Sequence, residues 1–135
     1  MLTLDRPSPQ VTKTILMVDD DTRFVKLVQE CLQEEGYQVF SGNDGNTALS
    51  LAQELKPDVI LMDVNMPCMN GLQAFKQLRS EAETQRIPVI FISEMISQVI
   101  YPVVETAPRV AHVKKPLDLV DLSSLLKQFF KSYTD

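Results

Sequence analysis

The chain is poor in soft metal ligands and covalent staples. It has two cysteines and one histidine in 135 residues. Cys31, in an expected helix, and Cys68, in an expected loop, form no disulfide framework and suit a reducing compartment. Two separated cysteines and the lone His112 also argue against zinc, which takes nitrogen and sulfur ligands at close spacing. Basic charge is short as well: 13 Lys and Arg against 18 Asp and Glu leave a net charge of −5. Such a surface repels phosphate backbones and argues against nucleic acid as a partner. No stretch approaches the ~20 apolar residues of a membrane span. The first ten residues lack the apolar core of a secretory signal. These absences predict a cytoplasmic protein with no membrane insertion.

What is present is a series of short apolar runs separated by turn residues. Residues 1–11, with Pro7 and Pro9 and no periodicity, read as a loose tail, and residues 12–135 as one domain. A domain of this size buries roughly two-thirds of its unfolded surface without staples. Thr14–Val18 reads as a first strand, followed by three acids, Asp19, Asp20 and Asp21, and by a helix. In that helix Phe24, Leu27, Val28, Cys31 and Leu32 share a face, and Gly36 ends it. Tyr37–Ser41 is a second strand. The next helix is buried through Ala48, Leu49, Ala52 and Leu55 and stopped by Pro57. Val59–Met62 reads as a strand buried on both faces, with Asp63 at its carboxyl end.

After Gly71 a helix turns Leu72, Phe75 and Leu78 inward. Val89–Ile92 is the most apolar strand and ends at Ser93. From 95 to 106, Ile96, Val99, Ile100, Val103 and Val104 share a helical face, but Pro102 predicts a break near 98–102. Val110–Val113 is a last short strand, followed by Lys114, Lys115 and Pro116. Asp118 can cap a final helix with Leu122, Leu125, Leu126 and Phe129 inward. Five strand–helix units predict an α/β fold, a doubly wound parallel sheet with helices on both faces. Every strand then ends at the same edge, and Asp19, Asp20, Asp63, Ser93 and Lys115 all fall there.

Crowded carboxylates repel, so either one of them takes up a proton or a cation joins them. Carboxylates with a backbone carbonyl and waters suit a hard six-coordinate ion, and Mg²⁺ is the natural choice. A carboxylate in such a site can attack phosphorus and form an aspartyl phosphate. A lysine ammonium and a hydroxyl can offset the charge of the transferring group, and Lys115 and Ser93 are the candidates. Asp21 reads as a helix cap.

Val18-Asp19-Asp20-Asp21, Leu61-Met62-Asp63-Val64-Asn65-Met66-Pro67 through Gly71, Phe91-Ile92-Ser93, and Lys115-Pro116 form an ordered set. As a set they resemble the landmarks of response-regulator receiver domains. The resemblance runs from about Thr12 to the last helix. It implies a five-stranded, flavodoxin-like sheet of order 2-1-3-4-5. It implies Asp63 as phosphoacceptor and Asp20 as a direct Mg²⁺ ligand, with Asp19 acting through metal-bound water and Asn65 through its backbone carbonyl. Ser93 and Lys115 would bind the phosphoryl oxygens. The implied phosphate donor is a histidine kinase or histidine phosphotransfer protein, and a downstream protein reads the change of shape.

The departures from the family follow Ser93. Glu94 stands where a small residue is usual, Pro108-Arg109 where a Gly-Ala pair is common, and His112 where Tyr or Phe is usual. His112 reads equally as an exposed edge-strand residue and as a switch. The leading expectation is a stand-alone phosphorylatable receiver, self-catalysed but not a turnover enzyme. The alternative is a pseudo-receiver that binds protein unphosphorylated. A haloacid-dehalogenase-like phosphatase is a remote third, because its paired acids after the lysine have no counterpart here.

Overall fold

A computed structural model describes residues 12–66, 69–94 and 100–133, without the side chains of 100, 101 and 133. Expectations for residues 1–11, Cys68, Ile96, Val99 and the Ile100 side chain lie outside the described residues. Strands and helices alternate: β1 (Thr14–Val18), α1 (Thr22–Glu34), β2 (Gln38–Gly42), α2 (Gly45–Leu55), β3 (Val59–Asp63), α3 (Gly71–Ser80), β4 (Val89–Ser93), α4 (Ile100–Thr106), β5 (Val110–Lys114) and α5 (Leu119–Tyr133). The five strands are parallel and lie in the order β2-β1-β3-β4-β5, as expected.

Strand alternation sorts side chains into two cores. Leu16, Val18, Ile60, Met62, Val89 and Phe91 pack with Ala48 and Ala52 of α2 and Ala74, Phe75 and Leu78 of α3. Ile15, Met17, Val59, Leu61, Ile90 and Ile92 pack with Val25, Val28 and Leu32 of α1 and Leu122, Leu126 and Phe129 of α5. The central β1, β3 and β4 thus have no polar face, which is why they read as unbroken apolar runs.

The helix boundaries follow local chemistry. Asp21 caps α1 by accepting from the Arg23 and Phe24 amides, Asp44 caps α2 through Thr47, and Asp118 caps α5 through Val120 and Asp121. Asn70 and Gln73 form a reciprocal capping box on α3. At the other end of α1, Gly36 takes φ 99, which a side chain would resist.

One expectation needed correction. Leu27 is 53 % exposed, and Val25 is buried in its place. The buried arc of α1 centres on Val25, Val28 and Leu32, and Leu27 falls outside it at 100° per residue, at one edge of the apolar stripe. The break expected near 98–102 falls partly on residues 95–99, outside the described residues. Within the described residues Pro102 is the third residue of α4. Val103 and Val104 still dock on the α2/α3 core.

Candidate functional site

The same alternation sets the site. Asp63 continues the Val59 and Leu61 side of β3, toward α1 and α5. Beyond β5, Lys115 continues the Ala111 and Val113 side. Both therefore approach Asp19, which follows β1 on its Ile15 and Met17 side. Lys115 Nζ donates to Asp19 Oδ2 at 2.9 Å and lies 3.9 Å from Asp63 Oδ1. The ammonium also sits over the Phe24 ring, 4.6 Å from its centroid. Phe24 was legible only as part of an apolar helix face, and this cation–π contact is what sequence reasoning missed.

Asp19 is 1 % exposed and Asp63 5 %, whereas Asp20 is exposed. Asp19 Oδ1 accepts from the Asp21 amide at 2.9 Å, so both its oxygens are engaged. Asp63 Oδ1 accepts from the Asn65 amide at 3.4 Å. Carboxylate oxygens of Asp19, Asp20 and Asp63 come within 4.8 Å of one another. Burial and the Asp19 charge push the Asp63 pKa up to about 6, against the pull of Lys115 and the Asn65 amide, with Asp20 adding a smaller upward push. For Lys115, burial works against the charge, but the bond to Asp19 and the charges of Asp63, Asp19 and Asp21 outweigh it and raise the ammonium pKa. An all-oxygen set with excess negative charge fits a hard divalent cation.

The loop after Asp63 passes close to the next helix. A Cβ on Gly71 would stand 2.3 Å from the Asp63 carbonyl oxygen, so only glycine lets α3 start here. The Gly71 amide donates to the Val64 carbonyl at 2.9 Å and fixes that approach. Ser93 is 1 % exposed and joins the neighbouring strand: its carbonyl accepts from the Lys115 amide at 2.7 Å. Its hydroxyl lies 3.0 Å from His112 Nε2. Glu94 is exposed, and His112 is half-buried rather than solvent-facing. The structure thus gathers Asp19, Asp20, Asp63 and Lys115 directly, and places Asn65 and Ser93 on the adjoining loop and strand end.

A sheet of this order, with a buried strand-end carboxylate facing two further acids and a lysine, defines a class. The response regulator receiver domain family matches residues 15–127, and the chain belongs to it. It is a receiver domain of two-component signalling, a class of signalling phosphoacceptors rather than turnover enzymes. Among relatives, PilH of Pseudomonas aeruginosa is 43 % identical over 79 residues, which cover 58 % of this chain and 65 % of PilH. The match therefore spans less than two thirds of that relative. The chemotaxis protein CheY4 of Vibrio cholerae superposes with a TM-score of 0.81 at 28 % identity, over 88 % of this chain and 99 % of CheY4. The receiver domain of the P. aeruginosa sensor histidine kinase PA1611 superposes with a TM-score of 0.80 at 25 % identity, over 90 % of this chain and 99 % of its own. That domain has a magnesium ion coordinated in its active-site cleft.

Proposed function

We propose that this domain accepts a phosphoryl group from a phosphohistidine donor onto Asp63 and signals the change to a protein partner. The observation that carries the reading is the Asp63 carboxylate itself. It is 5 % exposed, at the carboxyl end of the central strand, beside Asp19, Asp20 and the Lys115 ammonium. With a pKa of about 6 it is mostly ionised at neutral pH and ready as a nucleophile.

In the transfer, an Asp63 oxygen bonds to phosphorus as the phosphorus–nitrogen bond of the donor breaks. The electron pair returns to the donor imidazole. Lys115, already held between Asp19 and Asp63, offsets the charge on the phosphoryl oxygens, and the Ser93 hydroxyl donates to one of them. Asp20 and Asp63, with the Asn65 carbonyl and with Asp19 through water, are the residues to hold Mg²⁺. When bound, that ion neutralises charge shared by the carboxylates and the phosphoryl group. Water later releases phosphate and restores the Asp63 carboxylate.

Residues 12–135 form the receiver unit in this reading, and it acts in the cytoplasm. Its donor is a histidine kinase or histidine phosphotransfer protein. Among the described residues no helix is long and apolar enough to cross a membrane. The test is intact mass after incubation with Mg²⁺ and acetyl phosphate. One added phosphate that disappears in Asp63→Asn is expected. No adduct from acetyl phosphate or from any kinase would replace this reading with an unphosphorylated binding module.

A further inference from the structure

Ser93 and His112 lie on one face of two adjacent parallel strands. Phe91 pairs with His112 and Ser93 with Lys114, so Ser93 stands one pleat along from the histidine. That diagonal brings Ser93 Oγ and His112 Nε2 to 3.0 Å. The bond can run in two directions. With its hydrogen on Nδ1, a neutral imidazole accepts at Nε2 and draws the hydroxyl hydrogen toward the ring. An imidazole carrying a hydrogen on Nε2 donates to Oγ, and the hydroxyl hydrogen is turned away from it.

Burial holds the His112 pKa below its ordinary value, so the neutral ring is the resting form at neutral pH. Charged groups on the surrounding elements are Lys76 and Arg79 of α3, Glu94 after β4, Glu105 of α4, and Arg109, Lys114 and Lys115 on and beside β5. Among the described residues none of these contributes to the His112 shift, which burial alone produces. A phosphoryl group on Asp63 would therefore bring a new field to a ring that no resolved charge now governs.

We propose that His112 is a positioning residue for Ser93, and that filling the phosphoryl site draws a proton from water onto His112 Nε2. Nε2–H then donates to Oγ, and the Ser93 hydroxyl donates to the phosphoryl oxygen. The inference rests on the reading of Asp63 as phosphoacceptor. By reciprocity, the occupied state becomes more favourable as pH falls through the imidazole midpoint. A phenyl ring at position 112 could do neither.

His112 is the only histidine in the chain, so its ring C–H signal is read by NMR without assignment. The Mg²⁺-loaded full chain is titrated with pH, with and without beryllofluoride, an anionic mimic of the phosphoryl group. Holding Mg²⁺ constant keeps the metal charge out of the comparison. The midpoint should rise by about one unit on saturation, a roughly tenfold tighter hold on the anion by the protonated ring. In Ser93→Ala the rise should be less than half as large, because the relay through the hydroxyl is gone. An unmoved midpoint, with backbone amide shifts at Asp63 showing the anion bound, overturns the inference and leaves the function standing. So does an undiminished rise in Ser93→Ala, which would be charge acting through space. No beryllofluoride binding at any pH overturns both.

Discussion

The raised pKa of Asp63 makes the stability of the domain depend on pH in a direction opposite to that of an ordinary salt-bridged carboxylate. The side chain moves from 3.8 to about 6 on folding, chiefly through burial and the Asp19 charge. Below pH 3.8 both states are protonated and the group contributes no difference. As pH rises, the unfolded chain ionises first, the native state holds the extra proton, and stability is lost until the native carboxyl ionises near pH 6. Two units at 1.36 kcal/mol each give a total loss of about 3 kcal/mol, of which about 1 is already lost by pH 4.5. Asp63 is 5 % exposed, so solvent screening takes little from this figure. Asp63→Asn carries no charge at any pH. Its stability curve should therefore pull away from wild type by about 2 kcal/mol between pH 4.5 and pH 8. Urea unfolding across that range, with divalent cations removed by chelator, measures the divergence. Parallel curves would refute the electrostatic account of the site, whatever the absolute stability of the variant.

Other expectations follow from single contacts. Asp20 is exposed while Asp19 and Asp63 are buried, so Asp20→Ala should fold normally yet lose the rise in melting temperature that Mg²⁺ gives wild type; an unchanged rise would place the metal elsewhere. Lys115→Ala leaves the buried Asp19 carboxylate without its 2.9 Å partner, and urea unfolding should show a loss of about 1–3 kcal/mol at neutral pH. Lys56 ends α2 at φ 48, and its exposed 3.6 Å pair with Glu83 contributes little, so Lys56→Gly should gain about 1 kcal/mol; no gain would mean that the left-handed cap is unstrained. Glu94 follows Ser93 and is exposed. If its charge repels the incoming group by ~1 kcal/mol, Glu94→Gln should phosphorylate roughly fivefold faster, with the gain shrinking in high salt; a wild-type rate at every salt concentration removes Glu94 as a gate.

The fold was legible because its strands carry little ambiguity. Val59–Met62 and Val89–Ile92 are apolar at every position, and only a strand covered on both faces tolerates that in a run so short. Helix starts were legible where a side chain had one local task, as at Asp21 and Asp118. The misread residue, Leu27, lacked that constraint. Leu27 is apolar and falls at the margin of a helical stripe, and margin positions are settled by how far the helix is rotated against the sheet, which periodicity does not contain.

The site divides along the same line. Asp19, Asp20, Asp63, Ser93 and Lys115 were visible because each follows a strand directly, and a parallel sheet sends all strand ends to one edge. Which of them touch is a matter of parity. Asp63 and Lys115 extend odd-numbered strand faces toward α1 and α5, and they meet at Asp19. Ser93 and His112 belong to the opposite face, with Phe91 and Val110, and they meet each other. Parity within a strand is readable from sequence, but the register that places Phe91 opposite His112 comes only from the packed sheet. A shift of β5 by one residue would bring Ala111 or Val113 beside Ser93 and leave the hydroxyl facing carbon. The contact that distinguishes this site from a bare set of strand-end acids therefore depends on one register, held by the ladder from Val89 to Ser93.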